Sequence, residues 1–273
     1  IGGTTLHYQQ QGDGPDVILI HAFTSNMAIW ALTGIVEELS CDHRVTTYDL
    51  RGHGLSGVTL SGYNSAQMAA DLRELHSALG LQRAHLVGHS FGGVIAFHAA
   101  LDFPEMVASV VLSDSYFPGL RHREPSLGEI DVWTDLRDPL RDMGVDLGDS
   151  VDFGQLINAA AAWSPQDFVQ IEQTLGTATA RWLAQISQLA GTRAGEEMFD
   201  ECGLTAERIR QVDQPVTALY DEFSPFEATC DYLQQHLRDC RVDVVPGAKH
   251  VAPVQNPRAL SQLVQNHLDR VST

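Results

Sequence analysis

Basic residues are scarce in this 273-residue sequence. Lysine occurs once, as Lys249, and Lys+Arg totals 17 against 35 Asp+Glu, a net charge of −18. A chain this acidic is a poor partner for nucleic acid or an anionic membrane, and its charge is read first as a solubility feature. Cysteine is sparse too. Cys41, Cys202, Cys230 and Cys240 are scattered, with no CxxC pair and no metal-like spacing to histidine. That excludes a disulfide framework or a zinc module and fits a reduced, cytoplasmic protein, although four cysteines leave room for one disulfide. No apolar run approaches the roughly 20 residues of a membrane span. The first residues lack the basic and apolar regions of a secretion signal. Internal repeats and low-complexity stretches are also absent. No cofactor and no metal are expected; the oligomeric state is not readable.

What the sequence does contain is 44% hydrophobic residues, enough for one large core. Short apolar runs alternate with helical patterns. Val17–His21, Arg44–Asp49, Ala84–His89, Ala108–Asp114, Pro215–Asp221 and Arg241–Pro246 read as strands. Helices are expected over Asn64–Leu79 with Asn64 as N-cap, from Phe91 to Leu101, near Pro225–Leu237 and over Pro257–Val271. Such alternation indicates an α/β fold with a mostly parallel sheet covered on both faces. The rhythm breaks over residues 116–211, which read as helical and carry Trp133, Trp163 and Trp182. The expectation is a core of residues 1–115 and 212–273 with a helical lid, 116–211, between two strands. A separate helical domain is the alternative. The lid is favoured because the insertion begins and ends at strand carboxyl ends, where open α/β sheets bind ligands.

One strand–turn–helix junction carries chemistry. Gly88-His89-Ser90-Phe91-Gly92 lies between the apolar strand AHLVGH and the helix FGGVIAFHAAL. Gly-x-Ser-x-Gly in that setting is a nucleophile elbow, with Ser90 held above the sheet in a strained turn. Side chains at positions 88 and 92 would crowd the neighbouring strand or helix. Position 91 opens the helix, so its N–H is left for a developing oxyanion.

These residues resemble the α/β-hydrolase superfamily, and the resemblance covers nearly all the chain outside the lid. His21-Ala22-Phe23 is similar to the His-Gly-Phe of many members, which implies Phe23 N–H as the second oxyanion donor, with Ala22 where glycine is usual. A methyl group there either narrows the hole or alters the local backbone. Asp49-Leu50-Arg51-Gly52-His53-Gly54 also resembles the family and is read as a structural loop. His250, in Gly247-Ala248-Lys249-His250 before Asn256-Pro257, resembles the family's histidine loop and is the expected base. The family's acid follows the strand ending at Asp221, in a pattern close to G-E-x-D-P. Here the run is Asp221-Glu222-Phe223-Ser224-Pro225, and Ser224 stands at the acid's place. Asp114, after the preceding strand, is favoured as acid; Asp221, and then Glu222, stay open.

A serine nucleophile needs an adjacent base. The expected activity is a serine hydrolase acting on an ester-type acyl bond of a small or medium-sized, partly apolar substrate, with Phe23, Phe91 and lid aromatics such as Trp133 or Trp163 at the pocket. Thioesterase, lactonase or carbon–carbon hydrolase activity is the alternative, then a lyase, a perhydrolase or a ligand-binding member of the fold.

Overall fold

A computed structural model of the chain describes residues 2–272 apart from 126, 128–130 and 149–151. Its sheet has seven strands: β1 (Tyr8–Gln11), β2 (Asp16–Ile20), β3 (Arg44–Tyr48), β4 (Ala84–His89), β5 (Val107–Ser113), β6 (Val216–Asp221) and β7 (Cys240–Val245). Their order is β1-β3-β2-β4-β5-β6-β7, and only β1 runs antiparallel to its neighbour. This is the α/β-hydrolase architecture expected from the sequence.

Side-chain alternation builds two cores from single strands. Val17 and Leu19 of β2 join Trp30, Leu260 and Val264 on one face. Ile18 and Ile20 join Leu72, Val94 and Leu120 on the other. Val111 of β5 likewise faces the first cluster, and Val110 and Leu112 the second. The helix Pro257–Val271 covers the first face, and the helices Ser65–Ala78 and Phe91–Asp102 the second. Asn64 caps its helix, its side-chain oxygen accepting from Gln67 N–H at 2.9 Å.

Three elements were not legible in the sequence. The edge strand β1 reads YQQQ and is exposed throughout, so no apolar run marks it. Ala28–Leu32 and Ile35–Leu39 are helices of five residues each, too short for a periodic signal.

Between β5 and β6 the described residues contain no strand. Helices occupy Asp131–Asp142, Phe153–Ala162, Pro165–Leu175, Thr177–Ile186, Ala194–Glu197 and Ala206–Ile209. Buried Leu140, Leu156, Ile171 and Leu183 from this segment are continuous with the core over one sheet face. Buried Glu197 ties it down, its carboxylate accepting from Gly62 N–H at 2.6 Å and Tyr63 N–H at 2.8 Å. Among the described residues no helix is long and apolar enough to cross a membrane, and no cluster of His, Cys, Asp and Glu is placed to hold a metal. The four cysteines are unpaired.

Candidate active site

Parallel strands put all their carboxyl ends on one edge, and there the candidate residues meet. Ser90 follows β4, Asp114 follows β5, and His250 follows β7. Ser90 Oγ lies 3.1 Å from His250 Nε2, and His250 Nδ1 lies 2.7 Å from Asp114 Oδ2. Asp114 is fully buried, and His250 is partly open to solvent. With Nδ1–H donating to Asp114 Oδ2, Nε2 is free to accept the Ser90 proton.

The turn at Ser90 is strained, with φ 52° and ψ −120°. A side-chain carbon at Gly88 would strike the Gly92 and Gly93 backbone, and one at Gly92 would strike the carbonyls of Ile20 and His21. Both glycines are therefore required by contact rather than by dihedral angle. Ser90 N–H donates to Ser113 O at 2.8 Å, which fixes the elbow to β5.

The carboxylates divide their work. Burial pushes the Asp114 carboxyl up, but the His250 ring, the Ser224 hydroxyl and the Asp221 N–H all hydrogen-bond to it and hold it below the usual range. Asp221 does not reach the imidazole. Its carboxylate accepts from Ala252 N–H at 3.2 Å and from the His250 backbone N–H, bracing the histidine loop. Burial, and then repulsion from Asp114, push Asp221 up to about 7. Glu222 points to the far side of the loop and accepts from Gly247 N–H at 2.8 Å. Ser224, which stands where the family pattern has its acid, hydrogen-bonds to the Asp114 carboxylate.

This pairing has a pH consequence. Unfolded Asp221 releases its proton near pH ~4, whereas folded Asp221 keeps it until about 7. Between those values the folded state binds the extra proton, so its stability falls as pH rises. Asp221→Asn removes that loss. The melting temperature of Asp221→Asn relative to the native chain should rise from pH 4 to pH 7 and level off above. A constant difference across this range would contradict the assignment.

The loop after β2 forms the opposite wall. Ser25 N–H donates to Ala22 O at 3.1 Å, closing a four-residue turn. The positive φ falls on Thr24, 65°, and not on Ala22, which explains why alanine is accepted where glycine is usual. Two histidines support the turn, as expected of structural residues. His21 Nε2 accepts from Leu50 N–H at 3.0 Å, and His53 Nε2 accepts from Thr24 N–H at 2.9 Å. Burial lowers His21 to about 4 and His53 to about 3, so both stay neutral acceptors. His89, beside His250, is likewise lowered by burial to about 3. Asp49 binds Met27 N–H at 2.8 Å and Leu55 N–H at 3.0 Å, and buried Arg51 pairs with Asp71.

A run of touching aromatic rings leads from Phe91, next to Ser90, into the segment between β5 and β6. Phe23 meets Phe91 edge-on at 5.7 Å and Phe153 at 6.2 Å, and Phe153 meets Trp133 at 5.7 Å and Phe199 at 6.1 Å. Phe226 stands edge-on to the His250 ring at 5.2 Å. Phe153, Phe199, Phe226 and Ser224 carried no site signal in the sequence, since only the fold brings them together. Trp163 instead packs against Phe168 at 5.7 Å.

A family model described as alpha/beta hydrolase fold matches residues 15–257. The chain belongs to this family. It is 26% identical over 97% of its length to a Bacillus subtilis (strain 168) protein assigned as a 2-succinyl-6-hydroxy-2,4-cyclohexadiene-1-carboxylate synthase, covering 96% of that protein. It is 36% identical to a fluoroacetate dehalogenase from Burkholderia sp, but over only 42% of this chain and 38% of the dehalogenase. Among solved structures, the enol-lactonase from Burkholderia xenovorans LB400 superposes with a TM-score of 0.71 at 20% identity, covering 98% of this α/β-hydrolase and 97% of the lactonase. That likeness speaks for the fold alone. This α/β-hydrolase therefore stands among hydrolases of differing substrates, and its own residues must carry the finer reading.

Proposed function

We propose that this α/β-hydrolase cleaves an ester-type acyl bond through an acyl-enzyme on Ser90. The observation that carries the reading is the chain of short contacts from Ser90 through His250 to buried Asp114. His250 takes the Ser90 proton as Oγ attacks the carbonyl carbon. The N–H groups of Phe23 and Phe91 receive the oxyanion, a preorganised arrangement that costs no reorientation during reaction. His250 then gives its proton to the leaving alcohol. Water repeats the sequence to release the acid and free Ser90. Asp114 holds the imidazole tautomer and stabilises the imidazolium. A serine nucleophile argues against dehalogenation and epoxide opening, which need a carboxylate to form the alkyl-enzyme ester.

Residues 116–211 serve in this reading as a lid over the sheet edge. The substrate is a small molecule with an apolar portion seated among Phe23, Phe91, Phe153 and Trp133. The indole N–H of Trp133 is buried without a partner, a donor that a substrate carbonyl or ether oxygen would satisfy. A lactone is a cyclic ester and falls within the same chemistry.

The test is a panel of nitrophenyl esters and lactones of graded chain length, with Ser90→Ala as control. Medium-length acyl groups should be turned over fastest. Trp133→Phe should raise KM by about 2- to 12-fold for esters with a second acceptor oxygen, the worth of one net hydrogen bond, and leave plain alkyl esters unchanged. A KM rise shared by both ester types would remove Trp133 from substrate recognition.

The full-length likeness to the synthase favours a second reading, a non-hydrolytic use of the same serine. Trapping decides between them: an acyl group found on Ser90 after quenching supports hydrolysis.

A further inference from the structure

The turn that carries Phe23 is strained at its third residue. Turns with positive φ at that position normally hold glycine there, and a β-branched residue with positive φ is a genuine outlier. Thr24 occupies it at φ 65°. Such strain persists only where the surroundings over-determine the conformation. Two hydrogen bonds supply that constraint. One is internal to the sheet edge: His53 Nε2 accepts Thr24 N–H at 2.9 Å. The other comes from the opposite side of the site. Trp182, on the helix Thr177–Ile186, donates its indole N–H to Thr24 Oγ1 at 3.0 Å. The same hydroxyl donates its proton to Phe23 O, 2.5 Å away. The chain from Trp182 through Thr24 to Phe23 thus fixes the peptide that follows the expected oxyanion donor.

The surroundings make this contact decisive. Beside the turn lies a cavity of about 330 Å³, bounded by Thr24, Asn26 and His53 on one side and by Gln185, Ile186 and Leu189 on the other. Packing does not close that gap. Beside the apolar packing of Leu183 and Ile186 in the core, the helix reaches the turn itself through polar contacts: Trp182 to Thr24, and a longer bond from Asn26 Nδ2 to Gln185 Oε1 at 3.3 Å.

We propose that Trp182 is a positioning residue, a latch by which the docked lid holds the Thr24 turn in its strained form and so aims the Phe23 N–H at the oxyanion. The proposal rests on the esterase reading for its catalytic consequence, but the latch itself is readable without substrate. It makes the oxyanion hole a composite of sheet and lid. With the helix undocked, Thr24 relaxes and one of the two donors turns away.

Trp182→Phe keeps an aromatic ring and removes the N–H together with the five-membered ring that carries it. Amide hydrogen exchange at Thr24 reads the turn directly and should quicken by roughly 2- to 12-fold, the worth of one net hydrogen bond, with β4 and β5 amides unchanged. In the ester assay the same factor should be lost from kcat, with KM within about twofold, and the affinity of a boronic acid that forms a tetrahedral adduct on Ser90 should fall equally. Thr24→Gly removes the hydroxyl and the φ strain together. In that background Trp182→Phe should cost less than about twofold, the signature of two residues acting through one contact. Unchanged exchange at Thr24 in Trp182→Phe overturns the proposal, whether or not the enzyme turns over esters. Exchange that quickens across the whole sheet, or equal kinetic losses in both backgrounds, overturns it too. Local quickening at Thr24 with an inert ester panel sustains the latch and sinks the esterase reading instead.

Discussion

Ser90→Ala should lose about a millionfold in kcat, the scale seen when the nucleophile of a serine hydrolase is removed. The argument is geometric as well as chemical. Alanine keeps the Cβ and the positive φ of 52° at this turn, so the elbow survives and only the attacking oxygen goes. The melting temperature should therefore stay within a few degrees while turnover disappears. The His250–Asp114 contact of 2.7 Å does not involve Ser90 and should persist, leaving the base without a proton to take. Purified Ser90→Ala that retains even a thousandth of the native rate would show that hydrolysis proceeds by another route, such as direct attack of water activated by His250.

Asp114→Asn should cost about ten-thousandfold in kcat, because an amide in place of the carboxylate favours the wrong imidazole tautomer and cannot stabilise the imidazolium. Asp221→Asn, by contrast, should stay within about tenfold. Asp221 touches Ala252 N–H and not the ring, and its raised pKa of about 7 means that its neutral form already predominates in mildly acidic solution. The contrast between the two substitutions is the informative quantity. They lie on adjacent strands, both are buried, and both convert a carboxylate to an isosteric amide. If Asp221→Asn is the more damaging, the working acid sits on β6 and the arrangement seen at Asp114 is not the reactive one.

The legibility of this site was uneven for physical reasons. Strands buried on both faces are continuous apolar runs, so β2, β4, β5 and β6 could be placed to within about a residue. The polar edge strand β1 gave no such signal. Asp114 was preferred to Asp221 because Ser224 broke the usual pattern, and the fold sets Asp114, not Asp221, 2.7 Å from His250 Nδ1. The histidine loop must reach past β6 to meet a carboxylate on β5, and Asp221, beneath Ala252, braces that reach. Ala22 raised a question that the sequence could not settle, since nothing in it says which residue of a turn takes positive φ. The link from Trp182 to Thr24 spans 158 positions, and neither residue belongs to a motif. The aromatic run was visible in kind but not in membership: Trp133 joins Phe153, whereas Trp163 spends its ring on Phe168.

Ser90, Asp114, His250 and Thr24 are four of the five non-glycine residues with positive φ among those described. Each would be relieved by glycine, and Asn would sit more easily than the β-branched Thr24. Relaxing these positions is therefore expected to stabilise the fold at the expense of the proposed chemistry. Left-handed residues retained at all four positions in a relative would be a record of continued use, legible from backbone angles even where the substrate is unknown.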